Sequence, residues 1–252
     1  MQPPGQTTIT LCPLFPTASV NRCRCRYGRE RGVAFDINAR AVRTLALQMR
    51  RLGGKLIHLS SDFVFDGMQS RAYRPDDECR PLSVYGHSKL AGEQMAGSDA
   101  LIVRTSWVYA AAGTNFLDTM LRLMAQQRKV RVVADQIGAP TWAGRLAEVI
   151  WRLADTAAPG IYHYVDAGAA SWYDFAVAIA EEAGALRLLP HPVSVVPISS
   201  ADFAPAATRP RFSLLDSSGT LRATQLEPVH WRTNLRAALR ELVAMRRVNP
   251  TD

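Results

Sequence analysis

The sequence lacks the apolar runs that would anchor a protein in a membrane. No stretch reaches the roughly eighteen consecutive apolar residues that a bilayer-spanning helix needs. The N-terminus also lacks the continuous hydrophobic segment of a secretory leader, because the short apolar stretch 9–15 is interrupted by Pro13. We therefore expect no membrane partner and a cytoplasmic location.

Cysteine is scarce, and its spacing is irregular. Cys23 and Cys25 lack the two-residue gap that is typical of zinc-binding or redox-active pairs, and Cys12 and Cys79 stand alone. We expect free thiols and no metal site.

Lysine is also scarce: Lys and Arg together number 30, and of these only Lys55, Lys89 and Lys129 are lysine. The formal net charge is +8, but the positive residues are scattered among acidic ones and form no basic tract. A bias toward arginine codons explains this balance without a partner, although a positive surplus would also attract polyphosphate ligands. The composition therefore predicts no nucleic-acid partner.

A glycine-rich turn is missing from residues 1–33. In a dinucleotide-binding fold, such a turn follows a strand, opens a helix and holds the cofactor pyrophosphate on backbone amides. Gly5, Gly28 and Gly32 follow no predicted strand and have the wrong spacing for it. Because prolines also interrupt this segment, we predict that it is irregular.

The rest of the chain alternates between helix and strand patterns, which is typical of a parallel α/β sheet. With 252 residues, 48% of them hydrophobic, it can bury a sizeable core as one large domain or two small ones. The predicted elements are a helix capped by Asp36 and closed by Gly53-Gly54, strand 56–59, a helix from Val84, strand 101–105, helix 115–127, strand 130–133, a helix capped by Thr141, strand 160–165, a helix capped by Ser171, strand 193–197 and helix 231–246.

The chemistry is concentrated between residues 56 and 93. The strand at 56–59 runs into Ser60, Ser61 and Asp62, and the next helix carries Tyr85 and Lys89 four residues apart, on one face. A neighbouring ammonium lowers the pKa of a phenol, so Lys89 is expected to lower that of Tyr85. A hydroxyl at the strand end could hold a carbonyl while the phenol moves a proton. An accidental Tyr-x-x-x-Lys spacing is the alternative.

These residues resemble the extended short-chain dehydrogenase/reductases and, among them, the dTDP-4-dehydrorhamnose reductases. The resemblance runs from about residue 34 to the C-terminus and rests on several blocks in the same order. The blocks are SSDFVFDG at 60–67, PLSVYGHSKLAGE at 81–93, RTSWVY at 104–109, NF at 115–116, DQIGAPT at 135–141, GIYH at 160–163 and SWYDFA at 171–176.

The resemblance implies an α/β fold with a Rossmann-like, doubly wound parallel sheet, truncated at its N-terminal side, and a smaller C-terminal substrate-binding domain. We divide the chain into an irregular, atypical segment 1–33, the remainder of the Rossmann-like domain at 34–165 and a mainly substrate-binding part at 166–252. The first strand–turn–helix unit of the family is missing from this sequence.

The resemblance further implies NAD(P)H-dependent reduction of the C4 ketone of dTDP-4-dehydro-L-rhamnose to dTDP-L-rhamnose, for polysaccharide synthesis. Ser61, where the family more often has Thr, would bind the ketone. Tyr85 would protonate the alkoxide, and Lys89 would bind ribose and tune Tyr85. Tyr85, Lys89 and Ser60 would contact the cofactor, NADPH or NADH, whose binding we expect to be impaired because the glycine-rich turn is missing.

The expected partner is a nucleotide sugar, and the resemblance is compatible with a homodimer. The implied substrate-binding residues are Ser61, Asp62, Trp107, Gln136, Thr141 and Arg209. Each of these residues also has a purely structural interpretation. Trp107 could only pack against its neighbours, Gln136 and Thr141 could belong to a Gly-Pro turn whose polar groups are hydrogen-bonded, and Arg209 could be a solvated loop residue. Asn38 either organises the active site, as in the family, or is a first-turn polar residue.

Two other functions stay open, because fold alone does not decide between them. One is a non-catalytic regulatory or binding protein with this fold. The other is an epimerase or dehydratase for a different nucleotide sugar.

Overall fold

The computed structural model describes residues 9–11, 29–203 and 209–248. Cys79 is a free thiol, whereas Cys12, Cys23 and Cys25 lie outside the described residues. In the part of the chain that the structure describes, no helix is both long and apolar enough to cross a bilayer.

The helices are α1 (Arg29–Phe35), α2 (Ala41–Arg51), α3 (Val84–Ala96), α4 (Phe116–Gln126), α5 (Ala143–Thr156), α6 (Trp172–Ala185), α7 (Ser200–Phe203), α8 (Ser218–Thr224) and α9 (Trp231–Val248). The strands are β1 (Ile9–Leu11), β2 (Lys55–Ser61), β3 (Leu101–Thr105), β4 (Val108–Tyr109), β5 (Lys129–Val133), β6 (Ile137–Gly138), β7 (Thr141–Trp142), β8 (Gly160–His163), β9 (Ala170–Ser171) and β10 (Ser194–Ile198).

The main sheet is parallel, with strand order β1-β2-β3-β8. Alternate residues of its strands enter different cores: Leu56 and Ile102 pack against α2, whereas Ile57 and Val103 pack against α5. This alternation follows from the two-residue period of a strand. Because helices cover both faces, the sheet is doubly wound, and the Rossmann-like α/β expectation is confirmed.

A second core lies around helices α4, α6 and α9 and the parallel pair β5–β10. Its helices begin where side chains cap them. Asn115 accepts hydrogen bonds from the backbone N–H groups of Leu117 and Asp118, and Ser171 forms a capping box with Asp174. The cap predicted at Ser171 therefore begins α6, and Asn115, predicted as the first helical residue, instead caps α4.

Three local predictions differ from the structure. Segment 1–33, predicted to be irregular, contains β1 and most of α1, and β1 pairs with β2 at Ile9↔Lys55. Asp36 does not cap a helix; it opens a π-helical turn, Asp36–Arg40, that joins α1 to α2 without interruption. Thr141 does not cap α5, because it lies in β7 and α5 begins after Trp142 without a side-chain cap.

Candidate functional site

The carboxyl end of β2 carries two polar side chains that turn toward each other. Ser61 is the last residue of β2 and pairs with Thr105 at the end of β3. Its hydroxyl donates to Oδ1 of Asp62 at 2.9 Å and accepts the backbone N–H of Phe63 at 3.2 Å. The strand therefore ends in a short 3-10 turn, Asp62–Val64, that fixes both side chains at the edge of the sheet.

Helix α3 brings Tyr85 and Lys89 to the same strand. Ser83 caps the helix by accepting the backbone N–H of Gly86 at 3.1 Å. The Tyr85 phenol lies near the Ser61 hydroxyl, and the Nζ of buried Lys89 donates to the Leu59 carbonyl at 2.5 Å. The four-residue spacing thus places both side chains on the face of α3 that covers β2.

Burial dominates the acid–base properties of this group. It raises the pKa of Tyr85 to about 12. The nearby Ser61 hydroxyl opposes this upward shift, and the charge of Asp62 adds to it. The net direction is opposite to the lowering expected from Lys89. Burial also raises the pKa of Asp62 to about 6, while hydrogen bonds with Ser213 and Ser61 lower it.

Arg209 is the predicted substrate residue that the fold brings to Asp62. Burial lowers the pKa of its half-buried guanidinium, and the charge of Asp62 raises it. The loop that carries Arg209 is therefore close enough for its charge to be felt at the end of β2. A carboxyl and a guanidinium beside a phenol suit a polar, anionic ligand.

Gln136 and Thr141 are hydrogen-bonded to residues outside this group. Gln136 is buried, and its Nε2 donates to the Ser200 hydroxyl at 2.9 Å. Thr141 is buried in β7, where its backbone N–H donates to the Trp107 carbonyl at 3.2 Å.

Asn38 lies behind Tyr85. Its Nδ2 donates to the Ser88 hydroxyl at 2.9 Å, and Ser88 donates in turn to the Tyr85 carbonyl at 2.8 Å. A Cβ at Gly92 would overlap the Asn38 carbonyl, so glycine lets the π-helical turn approach α3 closely. Asn38 therefore braces the helix that carries Tyr85 and Lys89, and it is more than a first-turn polar residue.

Trp107 lies two residues beyond the end of β3 in a strained conformation. Its φ of 47° is in the left-handed region, which costs a bulky residue about 1 kcal/mol or more. The indole stacks on Trp172, with ring centroids 3.7 Å apart and an interplanar angle of 12°. Strain at a bulky residue beside a polar strand edge is typical of a functional position.

Comparison with known proteins assigns the family. The family model described as "RmlD substrate binding domain" matches residues 28–244. The dTDP-4-dehydrorhamnose reductase of Aggregatibacter actinomycetemcomitans is 39% identical over 212 residues, which are 81% of this chain and 72% of that relative. This chain belongs to the dTDP-4-dehydrorhamnose reductase family.

Two further comparisons extend this result. The spore coat polysaccharide biosynthesis protein SpsK of Bacillus subtilis is 38% identical over 226 residues, covering 88% of this chain and 76% of the relative. The crystal structure of a dTDP-4-dehydrorhamnose reductase from Bacillus anthracis in complex with NADP matches with a TM-score of 0.78 at 36% identity. It covers 84% of this chain and 75% of that one, so most of the chain follows the fold of a solved member of the family.

Sequence reasoning missed several buried polar residues in and around this site. His58 is fully buried beneath α3, and burial followed by the charge of Lys89 lowers its pKa to about 3. Glu93 forms a buried ion pair with Arg104. The spacing of Glu93, four residues after Lys89, could have revealed it as a residue on the same helix face. Ser213, which contacts Asp62, had no such signal because no pattern surrounds it.

Proposed function

We propose that this chain reduces the C4 ketone of dTDP-4-dehydro-L-rhamnose to dTDP-L-rhamnose with NADPH, or NADH, as the reductant. The observation that carries the proposal is the closeness of the Tyr85 phenol to the Ser61 hydroxyl at the end of β2, with Lys89 on the same helix face. Membership of the dTDP-4-dehydrorhamnose reductase family supports the choice of substrate.

The proposed roles follow from the donors and acceptors at this edge. NADPH supplies a hydride to the C4 carbon when it is bound. Ser61 holds the ketone oxygen by a hydrogen bond, and the Tyr85 phenol gives its proton to that oxygen as the C=O bond becomes a C–O bond. The Tyr85 phenolate then regains a proton from solvent. Lys89, with its buried ammonium, stabilises the phenolate while it exists.

The pKa of Tyr85 fits the reductive direction. Because burial raises it to about 12, the phenol keeps its proton at neutral pH and is ready to donate. Oxidation of the alcohol would instead require the phenolate in the resting protein. The raised pKa therefore supports proton donation over proton abstraction.

The nucleotide sugar would lie against Asp62, Trp107 and Arg209. The Arg209 guanidinium suits a diphosphate, and a partly exposed indole suits the apolar face of a sugar ring. Gln136 and Thr141 would act indirectly, since Gln136 binds the Ser200 hydroxyl and Thr141 holds the Trp107 carbonyl. These substrate roles are proposals on the same footing as the catalytic ones.

The chain offers side chains for the nicotinamide ribose of the cofactor but no glycine-rich turn for its pyrophosphate. Tyr85, Lys89 and Ser60 would hold the nicotinamide ribose, and the buried Ser60 hydroxyl has no hydrogen-bond partner among the described residues. The pyrophosphate would need a glycine-rich turn, but the sequence has no glycine between Gly5 and Gly28. We therefore propose that this chain binds NADPH weakly.

Other expectations from the sequence stay predictions: a cytoplasmic location, a homodimer and the division of the chain at residues 33 and 165. Among the rival functions, a non-catalytic binding protein of this fold is favoured by the absent glycine-rich turn. The closeness of Ser61 and Tyr85 instead favours an enzyme.

Calorimetric titration with dTDP-L-rhamnose and with NADPH tests the proposal. We expect dTDP-L-rhamnose to bind, Arg209→Gln to weaken that binding about tenfold, and the control Arg211→Gln, at an exposed residue, to leave it nearly unchanged. Failure of dTDP-L-rhamnose to bind would contradict the function. Micromolar binding of NADPH by the chain without an added strand–turn–helix would contradict the account of its N-terminus.

A further inference from the structure

The Trp107 indole is enclosed by two elements that are remote in the sequence. Trp172 stacks on it with ring centroids 3.7 Å apart, and a Cβ at Gly138 would lie 2.9 Å from its ring. Phe116 packs against Trp172 at 4.7 Å between centroids. The indole therefore lies in a slot between Gly138 and Trp172, which we call the indole slot.

Backbone pairing fixes the width of the indole slot. Strands β6 and β9 are antiparallel, with Gly138 opposite Ala170 and Ile137 opposite Ser171. Trp172 follows as the first residue of α6, whose start is held by the capping box of Ser171 and Asp174. Both walls of the slot are thus tied to each other.

The same slot stabilises the strained backbone of Trp107. A bulky residue with a φ of 47° keeps that conformation only where its surroundings hold it. The Ser106 hydroxyl donates to the Ala139 carbonyl at 2.9 Å, and the Thr141 N–H donates to the Trp107 carbonyl at 3.2 Å. These bonds hold the backbone, and the stack with Trp172 holds the ring.

We propose that Trp172 is a positioning residue, which holds the Trp107 indole as the wall of the sugar subsite and thereby sets the affinity for the sugar part of the nucleotide sugar. The inference rests on the proposed function. Trp107 lies two residues after Thr105, the partner of Ser61 across the sheet, so its indole belongs to the edge that carries Ser61 and Tyr85. Both indoles are partly exposed, which leaves an edge of Trp107 available to a ligand.

The test compares two ligands that differ only by the sugar, dTDP-L-rhamnose and dTDP. Titration calorimetry of Trp172→Ala should show dTDP-L-rhamnose binding weakened about three- to tenfold, which is the loss expected for one displaced aromatic contact. Binding of dTDP should change less than about twofold. Trp172→Phe keeps an aromatic ring as one wall of the indole slot and should recover most of the affinity for dTDP-L-rhamnose.

A spectroscopic readout tests the stack without any ligand. Two stacked indoles give a coupled pair of circular dichroism bands, which Trp107→Phe and Trp172→Phe should each remove. The control Trp151→Phe, at an exposed residue of α5, should keep them. If Trp151→Phe also removed the bands, their assignment to the stacked indoles of Trp107 and Trp172 would be overturned.

The outcomes separate this inference from the proposed function. If Trp172→Ala weakens dTDP and dTDP-L-rhamnose equally, or weakens neither, Trp172 has no positioning role and the inference is wrong while the proposed function stands. A wild-type protein that binds neither ligand overturns the proposed function, and the inference with it.

Discussion

Two groups of buried polar side chains lie between helix α3 and the sheet, and they differ in how fully they are hydrogen-bonded. Glu93 receives two hydrogen bonds from Arg104, at 2.9 and 2.7 Å, and Arg104 also donates to the Pro75 carbonyl. Beside this pair, the Ser60 hydroxyl, opposite Arg104 in the sheet, and both ring nitrogens of His58, next to Gly92, have no hydrogen-bond partner in the described parts of the chain.

The difference separates stability from function. A buried ion pair with every polar atom paired holds elements together, here α3, β3 and the loop at Pro75. A neighbouring group with unpaired polar atoms and raised pKa values is costly to the fold, and such groups are typical of binding sites. We therefore expect substitutions at Glu93 to act on stability and those around Tyr85 to act on ligands.

The largest effect on stability is expected at the ion pair. Glu93→Ala leaves the Arg104 guanidinium buried and unpaired, which should lower the free energy of unfolding by about 3–5 kcal/mol. Urea denaturation measures this loss. The control Glu78→Ala breaks an exposed pair with Arg80 and should have a far smaller effect.

A double variant sharpens the same comparison. Glu93→Leu combined with Arg104→Met leaves neither charge unpaired, so it should recover part of the stability that Glu93→Ala loses. A double variant as unstable as Glu93→Ala would show that packing, and not the unpaired charge, causes the loss.

The next effect concerns the pH dependence of stability. The pKa of Asp62 is 3.8 ordinarily and about 6 in the fold, so the folded state binds its proton more strongly and loses stability as the pH rises between these values. Asp62→Asn should remove this loss and be more stable than wild type at pH 7, by up to about 3 kcal/mol. The advantage should vanish near pH 4.

Urea denaturation at several pH values checks this prediction. The lowered pKa of buried His58 has the opposite sign, costing stability as the pH falls below 6.5, but it is present in both proteins. Asp99→Asn, at an exposed carboxylate, serves as the control. An advantage of Asp62→Asn that is equal at every pH would contradict the role of its titration.

The smallest effects come from two buried serines. Ser88 accepts from Asn38 and donates to the Tyr85 carbonyl, so Ser88→Ala should cost about 1–2 kcal/mol. The Ser60 hydroxyl has no partner in residues 29–203 or 209–248, so Ser60→Ala should raise the free energy of unfolding by up to about 1 kcal/mol. Equal losses, measured by urea denaturation, would remove the distinction between the two groups.

Much of the candidate site could be predicted from the sequence, because the signals were local. The strand ending in Ser60, Ser61 and Asp62 and the spacing of Tyr85 and Lys89 both rely on periodicity within one element. The structure brings Tyr85 close to Ser61 and sets Lys89 against the same strand.

The remaining features depend on contacts between distant segments. Ile9–Leu11 becomes a strand because it can pair with Lys55–Ile57, which no pattern in a three-residue stretch reveals. The π-helical turn at Asp36 allows Asn38 to reach Ser88 in α3. Because this contact joins residues far apart in the sequence, no local pattern predicts it. The predicted direction of the Tyr85 pKa shift was wrong, because the spacing between Tyr85 and Lys89 carries no information about burial.

The central claim is that Tyr85 serves the reaction and not the fold. The most direct test is Tyr85→Phe, made in a version of the chain to which a glycine-rich strand–turn–helix has been added, with NADPH consumption measured on dTDP-4-dehydro-L-rhamnose. The account predicts turnover lowered about a hundredfold or more, with urea denaturation changed by less than about 0.5 kcal/mol. Near-normal turnover in that variant, or a loss of stability that explains the loss of activity, would contradict it.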